Sequence, residues 1–529
     1  MAKKRKFKIL IIIRNILYFL LLLLVLFSIF VKKEFYNVSF EQLLFSTFNT
    51  TGANYEIVWR GFKFIFGWSF FIVLIMFVIK KIYNYLKIAV IFKFKIKGKK
   101  IKKEFKFNLF EMTLVRHIIL FVLIMIVGIY SSISLINLDS YIKAQLKNTE
   151  FFERYYVNPK KVDVEFPNKK RNLIYIYVES LESSVASIEN GGQFVESYIP
   201  KLEELGLKYT NFSASEKLGG AVSVENTTWT MAALVSQTSG VPLKIPIHGN
   251  NYKGYSSSLP GAYSLGQILE ENGYSNYFIM GSDADFAGRK DYFMQHGNYQ
   301  IYDYYYAIEE GFINKNYHQW WGFEDQKLFE YAKQKLLKIA EKDEPFNFTM
   351  LTTDTHFIDG YLDSTCEEKF DVAYANAFYC SDSKIYEFIN WIQEQDFYEN
   401  TTIVVVGDHL TMQENFYPNA DMSSRYVYNL FINSAIKKVD EKNRLFSVFD
   451  LYPTTLASMG VKIEGDRLGL GVNLYSNKNT LIEELGIEKL NSEIVNKSEF
   501  YNNNILGNSY IEMLEDVEEI AAQNTQASK

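Results

Sequence analysis

The chain has 529 residues, of which 48% are hydrophobic, 16% aromatic and 22% charged. That balance excludes wholesale disorder, a collagen-like repeat and a small disulfide scaffold, and the length calls for more than one unit. The net charge of -5 hides a division: residues 1–138 hold 22 Lys+Arg against 5 Asp+Glu, whereas residues 139–529 hold 34 against 56. So acidic a main body argues against nucleic acid as a partner.

Residues 1–138 read as a membrane anchor. Apolar runs at about 7–31, 61–79 and 115–136 are each long enough to span a bilayer. The first has a long apolar core and no small-residue cleavage pattern after it, so an uncleaved anchor is expected in place of a signal peptide. Lys3, Lys4, Arg5, Lys6 and Lys8 precede it, and residues 80–107 hold eleven lysines with Glu104 as their one acid. The positive-inside rule then puts the N-terminus and the lysine-rich loop in the cytoplasm, and everything after the third run outside. Cys366 and Cys380, with 13 residues between them, fall in a compartment that permits disulfides. A bond between them is expected over two buried thiols.

Residues 139–171 read as a linker. From 172 to 497, short runs rich in β-branched and aromatic residues alternate with helical segments. Strands are expected at 173–178, 274–280, 346–352, 402–406 and 428–432, and helices at 265–272, 324–342 and 381–395. Continuous apolar strands interleaved with helices imply an α/β domain, a doubly wound and mostly parallel sheet covered on both faces. Residues 498–529 are polar and read as a C-terminal extension.

In open parallel sheets, ligands gather beyond the carboxyl ends of the strands. Glu179 ends the first expected strand, Asp354 and His356 follow the third, and Gly407, Asp408 and His409 follow the fourth. Carboxylates and imidazoles meeting at one edge suit a divalent metal of mixed oxygen and nitrogen ligands. Residues 224–237 turn from polar and β-branched to helical near Trp229, so Thr227, Thr228 or Thr230 opens a helix. A threonine there is either a cap or a nucleophile, favoured by the helix dipole and dependent on a metal to lower its pKa.

These residues resemble the sulfatase-type branch of the alkaline phosphatase superfamily. Within it they are most similar to the membrane phosphoglycerol transferases, which include lipoteichoic acid synthase and the phosphoglycerol transferase of periplasmic glucans. Four places carry the resemblance: Tyr177-Val-Glu-Ser-Leu-Glu182, Trp229-Thr-Met-Ala-Ala-Leu234, Gly407-Asp-His-Leu410, and Phe449-Asp-Leu-Tyr-Pro-Thr-Thr-Leu456 followed by Gly469-Leu-Gly-Val-Asn-Leu474. Phe286-Ala-Gly-Arg-Lys290 and Leu351-Thr-Thr-Asp-Thr-His356 resemble the glucan branch in particular.

The resemblance implies an alkaline-phosphatase-like fold and a metal held by Glu179, Asp408, His409 and Thr230. The metal is Mn2+, with Mg2+ or Zn2+ as alternatives. It implies Thr230 as nucleophile, His356 as proton carrier, and Arg289, His356, Trp229 and His248 as substrate contacts. The donor it implies is phosphatidylglycerol: Thr230 attacks the phosphorus and expels diacylglycerol. A hydroxyl of a periplasmic or surface glycan then displaces the threonine-bound glycerol phosphate. The alternatives are a phosphoethanolamine transferase and a lipid phosphodiesterase. A sulfatase proper would make its nucleophile from a Cys or Ser in C/S-x-P-x-R, and neither cysteine lies in one.

Overall fold

The computed structural model describes residues 2–35, 38–48, 55–86, 90–92, 95–96, 99–100, 105–107, 114–245, 258–417, 421–436 and 441–507. They form two compact units, one of residues 1–40 and 54–140, the other of 41–53 and 141–529.

In the first unit, Ile9–Phe35, Ile57–Ile82 and Ile118–Leu135 are helices long and apolar enough to cross a membrane. They agree with the three expected runs. The first packs on both others at small residues. A Cβ on Gly128 would meet Leu21 at 2.8 Å and one on Gly61 would meet Phe30 at 3.0 Å, the close approach that small residues permit between apolar helices. Glu34 and Arg60 pair at 3.0 Å beyond the apolar stretch. Within the lysine-rich loop, residues 87–89, 93–94, 97–98 and 101–104 lie outside the described residues.

The second unit is built on a seven-stranded sheet. In chain order its strands are β1 (Asn172–Val178), β2 (Gly220–Ala221), β3 (Ser275–Met280), β4 (Gln300–Tyr302), β5 (Phe346–Leu351), β6 (Thr401–Gly407) and β7 (Val427–Ile432). The spatial order is β2-β7-β6-β1-β5-β3-β4. The run from β6 to β4 is parallel, whereas β7 is antiparallel to both β6 and β2. The expected mostly parallel α/β sheet is therefore present, and all five expected strands belong to it.

Its strands read as unbroken apolar runs because both faces are covered. Leu173, Tyr175 and Tyr177 enter one core layer with residues of the helices Thr230–Ser239, Arg289–Gln295 and Leu451–Ser458. Ile174, Ile176 and Val178 enter the other, with residues of Pro200–Lys208, Asp325–Ala340 and Ala373–Gln393. Each fully buried aliphatic side chain there contributes about 1.5–3 kcal/mol.

Two stretches differ from the sequence expectation. Residues 139–171, expected as a linker, carry the helix Phe151–Tyr155 and a strand, Val164–Glu165, paired with Lys462–Ile463. Phe151 and Phe152 are buried, the latter with its ring 5.1 Å from that of Tyr501. In the stretch read as a polar extension, Tyr501, Ile505 and Leu506 are buried, and Tyr501 donates to the Pro242 carbonyl at 2.6 Å. A few aromatic anchors suffice to draw otherwise polar segments onto a core. Residues 508–529 lie outside the described residues.

Candidate active site

The carboxyl ends of β1, β5 and β6 are adjacent, so the turns that follow them share one edge. Glu179 leaves β1 and is followed by Ser180 in the left-handed region, φ 55°. Ser180 donates its hydroxyl to Glu179 Oε1 and its backbone N–H to Asp408 Oδ1, both at 2.8 Å. Gly407, which ends β6, passes so close to that turn that a Cβ would lie 1.9 Å from the Leu181 carbonyl oxygen. Glycine here is a requirement of the close approach.

Glu179, Asp408 and His409 each present a ligand atom within 4.8 Å of the others, and all three are buried. Asp408 Oδ1 accepts two backbone N–H groups, from Ser180 and His409, while Oδ2 is buried with no hydrogen-bond partner among the described residues. That free oxygen lies 3.4 Å from His409 Nε2, which is 3.3 Å from Glu179 Oε1. His409 Nδ1 donates to the Leu410 carbonyl at 2.8 Å, so Nε2 is the ring nitrogen that faces the cluster. Two oxygens and a nitrogen converging on one point, one of them otherwise orphaned, fit a divalent cation.

The electrostatics describe the same centre. Burial alone would raise Glu179, but the charges of His356 and His409 outweigh it and hold the carboxyl at about 2. Burial, then the charge of Glu179, pushes Asp408 up to about 7. Burial would lower His409, and the two carboxylates raise it instead, to about 10. The cluster holds more negative charge than its one imidazole balances.

Thr230 is the first residue of the Thr230–Ser239 helix, behind Trp229 in extended conformation. Its Oγ1 lies 3.3 Å from Glu179 Oε2 and 3.4 Å from His409 Nε2. From further along the same helix, Gln237 Nε2 donates to the carbonyls of Gly407 (3.1 Å) and Asp408 (2.9 Å). The helix and the β6 turn are thereby locked in register. Of the three threonines left open by the sequence, Thr230 meets the cluster; Thr227 is buried and donates to the Val224 carbonyl.

Arg289 and His356 stand near the same centre. Two left-handed residues, Ala287 and Gly288, turn the chain so that Arg289 opens a helix with its guanidinium buried. It donates to the carbonyls of Phe286 (3.0 Å) and Asp283 (2.8 Å). Burial lowers its pKa to about 10, against the charges of Asp283, Glu179 and others, so it stays cationic at neutral pH. His356 donates Nδ1 to the Phe357 carbonyl at 2.5 Å, which leaves Nε2 as an acceptor. Burial lowers its pKa despite the charge of Glu179.

Asp354, grouped by sequence with the strand-end polar residues, turns away from the cluster. Its carboxylate pairs with Lys384 at 3.3 Å and accepts the Asp325 N–H at 3.1 Å. Lys384 also binds Asp363. Cys366 and Cys380 form a disulfide that ties the segment after His356 to the helix Ala373–Gln393. Glu182, the last residue of the first motif, binds Arg425 at 2.8 Å and accepts the Thr411 N–H at 2.9 Å. These groups fix the turns and leave the centre to Glu179, Asp408 and His409. His248 lies outside the described residues.

Two features escaped the sequence reading. Residues 41–53 belong to this unit, and Phe45, only 2% exposed, sits in its core against Trp229. Glu41 is buried beside Lys244, where burial raises its carboxyl to about 7 against the attraction of the lysine. The second feature is the pair Trp320 and Trp321, whose indoles lie beside His356 and its loop. Two of the chain's six tryptophans side by side before a glycine were the available signal.

A family model described as Sulfatase matches residues 171–461. Phosphoglycerol transferase I of Citrobacter koseri is 34% identical over 289 residues, which are 53% of this chain and 35% of that protein. Phosphoglycerol transferase I of Salmonella typhimurium is 33% identical over 300 residues, 55% of this chain and 37% of that protein. The match thus spans little more than a third of these relatives' length. Among solved structures, the lipoteichoic acid synthase LtaP from Listeria monocytogenes is 19% identical, with a TM-score of 0.47, over 60% of this chain and 79% of that one.

Proposed function

Since the chain belongs to the sulfatase family, we propose that it is a membrane-bound phosphotransferase. It moves glycerol phosphate from phosphatidylglycerol to a hydroxyl of a periplasmic or cell-surface glycan and releases diacylglycerol. The observation that carries this is Thr230 Oγ1 at the N-terminus of its helix, 3.3 Å from Glu179 and 3.4 Å from His409. A hydroxyl so placed suits a nucleophile in phosphoryl transfer. The glycerol-phosphate donor is supported by the naming of the relatives as phosphoglycerol transferases.

Glu179, Asp408 and His409 would hold a divalent ion, Mn2+ with Mg2+ or Zn2+ as alternatives. When bound, such an ion lowers the pKa of a nearby hydroxyl and draws charge from phosphoryl oxygens. Thr230 Oγ1 attacks the phosphorus in line as the bond to the diacylglycerol oxygen breaks. The proton leaves Thr230 and ends on that oxygen, with His356 Nε2 as carrier. Arg289 stabilises the charge gathering on the phosphoryl oxygens. In the second half, the glycan hydroxyl gives its proton to His356 Nε2 and attacks the same phosphorus, and Thr230 takes a proton back. Trp229 and His248 complete the substrate contacts.

Residues 1–138 then serve as anchor in the cytoplasmic membrane, with the N-terminus inside and the catalytic domain, 172–497, outside. The lysine-rich loop supports that orientation, and the Cys366–Cys380 bond suits an oxidising compartment. Tethering holds the site among lipid headgroups at high effective concentration.

The test is to incubate full-length protein and Thr230→Ala with Mn2+ and acyl-labelled phosphatidylglycerol, following diacylglycerol and the intact mass. Diacylglycerol from the wild type alone, with glycerol phosphate on Thr230, is the expected result. Release from phosphatidylethanolamine instead would make the enzyme a phosphoethanolamine transferase. Transfer to water alone, with every glycan refused, would make it a lipid phosphodiesterase.

A further inference from the structure

We propose that the tight turn at residues 319–322 is an acceptor subsite, where Trp320 and Trp321 form a platform for a sugar ring of the receiving glycan. The proposal rests on the phosphotransferase reading above. Gln319 and Gly322 exchange both backbone hydrogen bonds, at 2.8 and 2.9 Å, so the two tryptophans occupy the tip of a two-residue loop. Trp320 has φ 56°, a left-handed conformation that a bulky aromatic residue disfavours. At the other end, a Cβ on Gly322 would meet the Gly281 carbonyl oxygen at 2.2 Å, so the turn is seated against the residue that follows β3. Strain of this kind persists where the surroundings enforce it, and it clusters at ligand sites. Here it fixes where two adjacent indoles point.

They point along the site. The Trp321 ring lies 4.8 Å from that of His356 and 5.4 Å from that of Phe286, over which the Arg289 guanidinium sits. Trp320 stacks on Tyr361 at 5.9 Å and donates Nε1 to the Thr353 carbonyl at 3.0 Å. Both indoles remain partly exposed. Trp321 Nε1 is buried, with no hydrogen-bond partner among the described residues.

The surroundings select the occupant. Beside Trp320, the Tyr361 hydroxyl donates to Gln319 Oε1. A pyranose offers an apolar C–H face to an indole and rim hydroxyls to such groups. An acyl chain would make no use of those polar groups. The platform also abuts His356, so a ring lying on it brings a hydroxyl to the imidazole assigned to deprotonate the acceptor.

The test uses the full-length protein with phosphatidylglycerol vesicles and cellohexaose as the probe. Three signals are followed: diacylglycerol without sugar, glycerol phosphate on the sugar, and the change of indole emission as sugar is added. Trp321→Ala is expected to raise the KM for cellohexaose about tenfold or more. It should lower sugar-dependent transfer far more than sugar-free release and abolish the emission change. Trp321→Tyr, which keeps a flat ring, should recover most of the affinity. Equal losses with and without sugar would overturn the platform and give the indole to the lipid or to the fold. An unchanged KM, or a wild type whose emission ignores the sugar, would overturn it as well. A wild type that binds sugar through Trp321 yet releases no diacylglycerol would sink the transferase reading and leave the platform standing.

Discussion

Phe45 lies against Trp229 with ring centroids 6.1 Å apart, although one follows the first apolar helix and the other precedes Thr230. Gln42, three residues earlier, reaches Met412 Sδ at 3.7 Å, just past His409. A segment between two apolar helices thereby becomes part of the core that sets the start of the Thr230–Ser239 helix. Phe45→Ala should leave a void beside Trp229 and cost about 3–5 kcal/mol, the range for buried Phe to Ala. The thermal midpoint and diacylglycerol release should both fall, and Phe45→Leu should recover most of each. A wild-type midpoint in Phe45→Ala would mean that the ring carries no packing load.

The sheet was legible because strands buried on both faces read as continuous apolar runs, and 173–178 or 402–406 admits little else. Glu179, Asp408 and His409 were legible for a related reason: polar residues directly after such runs must fall at the carboxyl edge. What lay beyond sequence is tertiary. Nothing local shows that Phe45 crosses to Trp229, or that Asp354 turns to Lys384 while His356, two residues on, turns to the cluster. Phe151 and Phe152 fall in a stretch that reads as a linker, and only packing such as that of Phe152 on Tyr501 makes them core. The strained turn at Trp320 exists because Gly281 and Gly322 touch, a contact that no periodicity announces.

Asp408 Oδ2 has no other partner, so the carboxylate is expected to be the most sensitive part of the metal site. Asp408→Asn keeps the size and the two backbone hydrogen bonds at Oδ1 but removes the anionic donor. Metal affinity should fall about 10- to 100-fold, the scale seen when a site's supporting groups are lost, while Thr230→Ala should retain metal. Titration calorimetry with Mn2+ on both variants checks this. Equal affinities for Asp408→Asn and wild type would remove Asp408 from the ligand set.

Lys384 is the buried cation that serves Asp354 and Asp363. Burial raises Asp325 to about 6, and burial with the charge of Asp325 raises Asp354 further, so this acidic pocket depends on the lysine. Lys384→Met should cost about 3–5 kcal/mol, because it leaves buried carboxylates unpaired. The His356 loop should loosen first. Chemical denaturation gives the loss, and hydrogen exchange at 353–363 should rise before the rest of the sheet opens.

Tyr175 and Tyr292 predict the alkaline limit of the fold. Burial pushes both phenols up to about 12, Tyr292 against hydrogen bonds with Ser239 and Thr238. In the unfolded chain they ionise near the ordinary value of about 10. The folded pKa is the higher one, so the stability each contributes is whole below pH 10 and is lost as pH rises towards 12. That difference between folded and unfolded phenol corresponds to roughly 3 kcal/mol per tyrosine at the top of the window. Phenolate absorbance should therefore rise in two stages: exposed tyrosines ionise near pH 10, and a steeper second stage coincides with loss of helical circular dichroism. Tyr292→Phe removes one of these buried phenols and should move that second stage to higher pH, provided neutral-pH stability holds. A single smooth titration with the fold intact beyond pH 12 would show that these phenols are not held from solvent as the sheet requires.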